Sequence, residues 1–494
     1  RALVASARAR RRPPAPPPPP AMLMLTIALT SFAHGSLALR AAARPCRPFV
    51  TRAARVLCTA ASASSDINEV VAQAEPDELK SEFLQTMRWR GFIHQSTDLA
   101  ALDEAMTGGR VVAYLGFDAT ASSLHVGSLL QIMLLRHFQR LGHKPIVLVG
   151  GGTTKVGDPT GKDASRQLLD SDTISANIDG ISKVFSKFLK FGDGPTDALM
   201  VNNDDWLSPL QYLSFLRDYG RHFTINRMLS FESVKQRLAR ESPLSFLEFN
   251  YMILQSYDFL ELNRRHGAIL QFGGSDQWGN IISGVELGRR VDGVQLYGLT
   301  APLLTTADGK KMGKTADGAV WLNADLLSPY EYWQFWRNTA DADVSKFLRI
   351  FTELPLERIE ELEKLEGAKI NDAKIVLADE ATRMLHGDDS LAQIRATAAA
   401  LFSSEGGSTA SLRRVILSPS EVEEGVPVID LFISLELGKS KGEIKRLIAG
   451  GGAKMNDEKI SDPALSVSME SFASGSEIKL SAGKKRHGIV ELSK

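Results

Sequence analysis

Between Arg110 and Gly152 the chain writes a strand, a helix and a second strand in immediate succession, and no other stretch restricts its fold as much. "RVVAYLGF" (Arg110 to Phe117) reads as a buried strand. Val126, Leu129, Leu130, Met133, Leu134 and Phe138 then recur at helical spacing. "KPIVLVGGG" (Lys144 to Gly152) is a second strand that ends in glycines, as at the carboxyl edge of a parallel sheet. "AILQFGG" (Ala268 to Gly274) reads as a third strand, so the body of the chain from about Glu78 is an α/β fold.

Past Pro329 the pattern becomes helical, with Trp333, Phe335 and Trp336 near its start and charged helices running to about Leu401. "SSEGGSTAS" (Ser403 to Ser411) reads as a linker, and the segment from Val428 onward as a small separate unit. That tail carries 11 Lys and Arg against 7 Asp and Glu between Lys439 and Lys494. Its basicity matters because the formal net charge of the whole chain is zero. Residues 1–65 hold ten Arg and no Lys, Asp or Glu, which leaves 48 basic against 58 acidic residues in the remainder. Such a body repels polyanions on average, so nucleic acid has to be met by a local patch.

The same acid-free, Arg-, Ala- and Ser-rich segment has the composition of an organelle transit peptide. The first residue is Arg, and Met22 and Met24 are candidate initiators. The apolar run from Met22 to Leu29 is too short to span a bilayer, and no membrane association is expected. Cys46 and Cys58 both lie in this segment, so a processed chain would contain no thiol for catalysis, disulfides or zinc.

Four stretches carry chemistry. In "SSLHVGSLLQ" (Ser122 to Gln131), Ser122 and Ser123 are plausible helix caps, which places His125 in the first turn beside Gly127. Unpaired backbone N–H groups and the positive dipole end favour an anion there, although an ordinary capping histidine has the same look. "DGKKMGKT" (Asp308 to Thr315) sets Lys311 and Lys314 about a flexible glycine, a loop able to swing two ammonium groups onto a polyphosphate. "VGGGTTKVGDPTGKDASR" (Val149 to Arg166) imitates a P-loop, but Val156 stands where the first glycine belongs and Asp163 where Ser or Thr is required. Lys162 and Arg166 remain usable phosphate contacts. In "YMILQSYDF" (Tyr251 to Phe259), Tyr251, Gln255 and Asp258 share one helix face, which suits a small pocket that hydrogen-bonds a polar substrate. "GGSDQWGN" (Gly273 to Asn280) offers Asp276 for a ribose and Gln277 for a nearby polar group.

In this order "YLGFDATASSLHVGS", "GDPTGK", "NNDDW", "YMILQSYDF", "QFGGSDQWGN" and "KMGKT" resemble the class I tyrosyl-tRNA synthetases of the bacterial and organellar branch, over the chain from about Leu79 to its end. The resemblance implies a Rossmann-like catalytic domain over 66–327 after a targeting segment at 1–65. An α-helical anticodon-binding domain would span 328–402, a linker 403–427 and an α+β S-four-like RNA-binding domain 428–494. It implies that Tyr114 and Asp258 bind the phenolic hydroxyl of tyrosine, and that Asp158, Tyr251 and Gln255, with Asn203 close by, hold its ammonium near Asp118.

His125, Gly127, Ser128, Gly116, Gly274, Asp276 and Gln277 would take ATP. Lys162, Arg166, Lys311, Lys314 and Thr315 would take its phosphates, and Mg2+ would come with ATP without a protein cage of its own. Lys439, Lys441, Lys445 and Arg446 would face tRNA, with Gly450 to Gly452 a tight turn. A homodimer through a helical insertion, roughly Phe223 to Arg264, follows from the same resemblance. Ser128 and Gly313 depart from the family's HIGH and KMSKS signatures, while Leu115 and Gln131 receive no role. Two other readings compete: a tryptophan ligase of the same class, and a non-catalytic RNA-binding protein that has kept the fold.

Overall fold

A computed structural model describes residues 78–160, 169–309, 312–315, 318–402, 412–472, 475–483 and 486–493. The first of these begin with α1 (Glu82–Arg90), a short edge strand β1 (Gln95–Ser96) and α2 (Leu99–Gly108), followed by β2 (Val112–Asp118), α3 (Val126–Arg140) and β3 (Lys144–Gly150). Then come α4 (Ser171–Phe188), β4 (Leu199–Asn202), a run of short helices, α5 (Tyr251–His266), β5 (Leu270–Gly274), α6 (Trp278–Val291) and β6 (Tyr297–Ala301). The sheet order is β1-β6-β5-β2-β3-β4, with β2 to β6 parallel and β1 antiparallel at one edge. From β2 the chain winds outward to β3 and β4, then returns to place β5 and β6 on the other side. The strand order therefore reverses between β2 and β5, and a crevice at the carboxyl ends of strands is the natural ligand site of such a sheet.

Strand alternation assigns the two faces. Ala113, Leu115, Phe117, Val147, Val149, Leu270 and Phe272 enter the core beneath α1 and α3. Tyr114, Ile146 and Leu148 point the opposite way, into the core shared with Phe259, Leu260 and Trp206. On that second face the strands also carry Gly116, Gly150, Gln271 and Gly273. Small residues at the carboxyl ends leave a hole where bulkier ones would have filled the sheet–helix interface.

After β6 the chain forms the hairpin β7 (Lys314–Thr315) and β8 (Gly318–Ala319), then α7 (Pro329–Arg337), α8 (Asp341–Phe351) and α9 (Ile370–Phe402), two helical segments that break at Gly387 (φ 83°). Ser328 and Glu331 form a capping box at the start of α7, with Pro329 in its first turn. Trp336, Tyr332, Phe347 and Leu348 join the same hydrophobic core as the α1 and α3 face of the sheet. The helical part is thus packed on the sheet-bearing part through a continuous apolar interior.

The last part has its own core of Leu417, Phe432, Ile444, Ile478, Leu480 and Val490. Its main sheet has the order β12-β11-β14-β15-β9, with β9 (Arg413–Leu417), β11 (Ala453–Met455), β12 (Glu458–Lys459), β14 (Glu477–Ala482) and β15 (Arg486–Leu492), while β10 (Val426–Pro427) pairs with β13 (Ser466–Val467). Residues 403–411 of the expected linker lie outside the described residues, but its remainder is not one: β9 lies within 412–427 and pairs in parallel with β15 from Gly488 to Leu492. Polar flanking residues concealed a five-residue strand whose apolar members are only Val415, Ile416 and Leu417. Gly451, at φ 67°, makes the turn into β11.

Candidate active site

A cavity of about 230 Å3 opens at the reversal point of the sheet. Strand β2 lends it Tyr114, Gly116 and Asp118; β5 lends Gln271, Gly273 and Gly274; α5 lends Tyr251, Gln255 and Asp258; and the loop after β3 lends Thr153 and Asp158. A larger cleft of about 720 Å3 lies between the helical and C-terminal parts, lined by residues such as Tyr330, Phe347 and Leu435. Size does not decide between them, because the smaller cavity is where polar groups converge.

Its floor is a buried phenol beside a buried carboxylate. Asp258, 1 % exposed, accepts the indole N–H of Trp206 at 2.7 Å on Oδ1 and the amide of Asn203 at 2.9 Å on Oδ2. Burial pushes its carboxyl up to about 7 in spite of these two donors, and the nearby Asp118 and Glu261 charges push the same way. Tyr114 is fully buried, and its hydroxyl has no hydrogen-bond partner among the described residues. Burial, and then the Asp258 charge, raise that phenol well above its usual range. An orphaned hydroxyl in a cavity wall is costly, by about 1–3 kcal/mol, unless a ligand completes it. A ligand hydroxyl would accept from Tyr114 and donate to Asp258.

The mouth of the cavity is acidic and held in place. Asp118 accepts from Thr153 Oγ1 at 2.8 Å and from the Tyr251 hydroxyl at 3.2 Å. A Cβ on Gly150 would run into both the Asp118 carboxylate and the Thr153 hydroxyl, which is why β3 ends in glycine. Asp158 accepts from the backbone N–H of Thr160 at 2.8 Å and from Gln277 Nε2 at 2.8 Å. Asn280 then donates to Gln277 Oε1 at 3.0 Å and to Gln255 Oε1 at 2.9 Å. The lining includes Asp118, Asp158, Asp258 and Asp276 and, among the described residues, no Lys or Arg. Such a wall suits an ammonium group.

At the start of α3, His125 is itself the cap, a correction to the reading that gave Ser122 or Ser123 that role. Its Nδ1 accepts from Gly127 N at 3.0 Å, which leaves the ring proton on Nε2. The helix start also differs from expectation in its donors: Val126 N bonds to Val320 O at 2.9 Å and Ser128 N to His125 O at 2.8 Å. With Gly127 N they are already engaged, so an anion would meet side chains before backbone.

The loop bearing Gly313 returns to this turn. Val320 N donates to Gly313 O at 3.1 Å, and His125 and Trp321 form an antiparallel bridge. Gly313 has φ +103°, and a Cβ there would lie 2.8 Å from Gly127 N and 2.9 Å from His125 Nδ1. The departure from serine at this position is therefore a fitted contact between the two signatures. Lys162, Arg166 and Lys311 lie outside the described residues, and for Lys314 and Thr315 only the strand backbone is described.

Among the described residues no cluster of His, Cys, Asp or Glu is arranged to hold a metal ion, and no helix is long and apolar enough to cross a membrane. A family model described as tRNA synthetases class I (W and Y) matches residues 106–403, more than half the chain. The chain belongs to that family.

Within the class it falls in the tyrosyl-tRNA synthetase branch. It is 61 % identical over 412 residues to the tyrosine–tRNA ligase of Caulobacter vibrioides, covering 83 % of this chain and 98 % of that one. It is 57 % identical over 413 residues to the enzyme of the same name from Rhodospirillum rubrum, with 84 % and 98 % covered. Among solved structures it resembles the C-terminally truncated mitochondrial tyrosyl-tRNA synthetase of Aspergillus nidulans, with TM-score 0.59 and 30 % identity over 65 % of this chain and 95 % of that one. It is accordingly an aminoacyl-tRNA ligase with the class I Rossmann-like fold, and the class takes ATP as a substrate.

Against this synthetase fold the sequence-predicted positions divide clearly. Tyr114, Gly116, Asp118, Asp158, Asn203, Tyr251, Gln255, Asp258, Gly274, Asp276 and Gln277 line one cavity. Asn203, in the cavity wall, donates to Asp258 and accepts the N–H of Gly152 at 2.8 Å. Trp206 and Asn280 were given no role from sequence, nor were Leu115 and Gln131, which line the cavity. Trp206 and Asn280 belong to "NNDDW" and "GGSDQWGN", but their partners lie about 25 to 50 residues away and only the fold reveals them.

Proposed function

We propose that this chain is a tyrosine–tRNA ligase. It activates L-tyrosine with ATP and then transfers the tyrosyl group to the 3′ end of tRNA(Tyr). The observation that carries the reading is the pair at the cavity floor, the unpartnered Tyr114 hydroxyl beside the desolvated Asp258 carboxylate. The phenol of tyrosine completes both, and its ammonium lies toward Asp118, Asp158 and Tyr251. The tyrosine carboxylate attacks the α-phosphorus of ATP, the bond to the bridging oxygen breaks, and pyrophosphate leaves. A ribose hydroxyl of the tRNA then attacks the acyl carbon and AMP departs.

The attacking carboxylate is already ionised, so catalysis consists of positioning and charge stabilisation. His125 Nε2 and the lysines of "KMGKT", with Lys162 and Arg166, are assigned to the phosphates, and Asp276, exposed at the rim, to the ribose. Magnesium enters with ATP, held by phosphates and water.

Charge and exposure support the wider reading. Lys439, Lys441, Lys445 and Arg446 are all exposed on, or just before, one helix (Lys441–Ala449) and are assigned to tRNA phosphates, with α7 to α9 assigned to the anticodon. Tyr212, Leu213, Ile225, Leu238 and Phe246 are exposed apolar side chains on the short helices before α5, an unusual concentration that supports a homodimer. These exposed side chains begin ahead of Phe223, and residues 251–262 of α5 are mostly buried. The arginine-rich, acid-free residues 1–65 support an organellar address.

The deciding test is ATP–pyrophosphate exchange with tyrosine and with tryptophan. Exchange dependent on tyrosine is the expected result; exchange with tryptophan alone would refute the assignment.

A further inference from the structure

The chain that follows β6 carries the nucleotide side of the site, and the helical part holds it from beneath. The backbone N–H of Ala307 donates to Asp343 Oδ2 at 3.0 Å, and Lys346 Nζ donates to the carbonyl of Thr305 at 3.0 Å. Both side chains stand in the first half of α8, one turn apart. Met312 N donates to Leu304 O at 3.0 Å, so the segment closes on itself just before Gly313 meets Gly127. The two contacts from α8 therefore act at the base of the loop.

The far end of α8 is fixed to the catalytic part. Arg90 of α1, only 5 % exposed, donates from Nη1 to the carbonyls of Arg349 at 2.7 Å and Thr352 at 2.9 Å, and from Nη2 to Leu354 at 2.8 Å. Arg136 of α3 binds Glu353, just beyond the helix, at 2.6 Å. These carbonyls at a helix end have no partner within the helix, so a buried guanidinium is a strong anchor. Between the two ends Val344, Phe347, Leu348 and Phe351 are buried in the common core. The helix has no freedom to shift without breaking contacts at both ends.

We propose that Asp343 and Lys346 are positioning residues for the ATP step. In this role α8 is a strut that sets the height of residues 305–307 and, through them, the approach of Gly313 to Gly127 and His125. The inference rests on the functional reading above, because it concerns the loop assigned to the phosphates. Neither residue touches a reacting atom, and neither lines the tyrosine cavity.

The test uses the full chain as wild type, Asp343→Ala, Asp343→Asn and Lys346→Met. Tyrosine-dependent ATP–pyrophosphate exchange, tyrosine affinity and the melting midpoint are measured for each. Asp343→Ala should lower exchange kcat about tenfold, the loss of one partly buried hydrogen bond, and leave tyrosine affinity within about twofold. Asp343→Asn keeps an acceptor for Ala307 N–H and should restore kcat to within about threefold. Lys346 reaches Thr305 at the surface, so Lys346→Met should fold normally and lower kcat about threefold; it decides the matter alone if Asp343→Ala does not fold. Wild-type kcat in both Asp343→Ala and Lys346→Met would overturn the inference, as would a loss of tyrosine affinity in step with kcat. A wild type without tyrosine-dependent exchange would take down the functional reading and this inference together, whereas an active wild type with undiminished variants takes down this inference alone.

Discussion

The cavity proposed for tyrosine is a network of side chains locked to one another, while the region proposed for the nucleotide is assembled from backbone turns and a returning loop. In the first, Asp118, Asp158 and Asp258 each accept hydrogen bonds from neutral donors, Thr153, Tyr251, Gln277, Trp206 and Asn203, and Asn280 in turn holds Gln277. In the second, Gly313 rests on Gly127 and His125, and the position of the loop depends on a helix outside the cavity. The difference matches the chemistry: tyrosine must be chosen by fixed partners, whereas pyrophosphate must be held in the transition state and then released.

Substitutions should separate the two halves. The largest effect is expected from replacing Lys311 and Lys314 together by Ala. If each supplies a few kcal/mol to the transition state, exchange kcat should fall by on the order of 10³-fold or more, while tyrosine binding measured by equilibrium dialysis stays unchanged. Asp258→Asn should act in the opposite sense. It replaces a charged acceptor by an amide that faces two existing donors, so the tyrosine KM should rise about 10- to 100-fold. Gly313→Ser restores the family's residue but puts a Cβ 2.8 Å from Gly127 N at a φ that side chains avoid, so a drop of about tenfold in kcat with unchanged tyrosine affinity is expected.

The smallest effect is a pH dependence. With the Asp258 carboxyl raised to about 7 in the folded protein, the native state binds the extra proton. Its contribution to stability is fully present below the unfolded carboxylate range, about 3.9, and is lost as pH rises through about 7. A tyrosine hydroxyl donates best to the ionised form. Tyrosine should therefore bind roughly tenfold more tightly at pH 8 than at pH 6, with proton release that calorimetry in two buffers would detect. Affinity that is flat over this interval would mean that Asp258 is not the acceptor.

These comparisons also show what the sequence made legible. Strand and helix periodicity was enough to place Tyr114 on a buried strand and Tyr251, Gln255 and Asp258 on one helix face, because those patterns are local. The residues that hold the polar lining were not legible, since Trp206 meets the Asp258 carboxylate across 52 positions and Asn280 meets the Gln255 amide across 25. His125 was misplaced by one role: two serines upstream looked like better caps, but its own imidazole closes onto Gly127 N. Gly313 read as a loosened signature until its φ and its contact with Gly127 were visible. Strand β9 was hidden in a polar linker because a parallel partner, β15, supplies most of its reason to be extended.

The central claim is that an unpartnered Tyr114 hydroxyl beside Asp258 selects tyrosine. It is tested most directly by comparing exchange kcat/KM for tyrosine and phenylalanine in wild type and in Tyr114→Phe. Removing a buried orphan should leave the melting midpoint unchanged or higher, while the preference for tyrosine falls about tenfold or more. An unaltered preference in a variant that still folds would contradict the account.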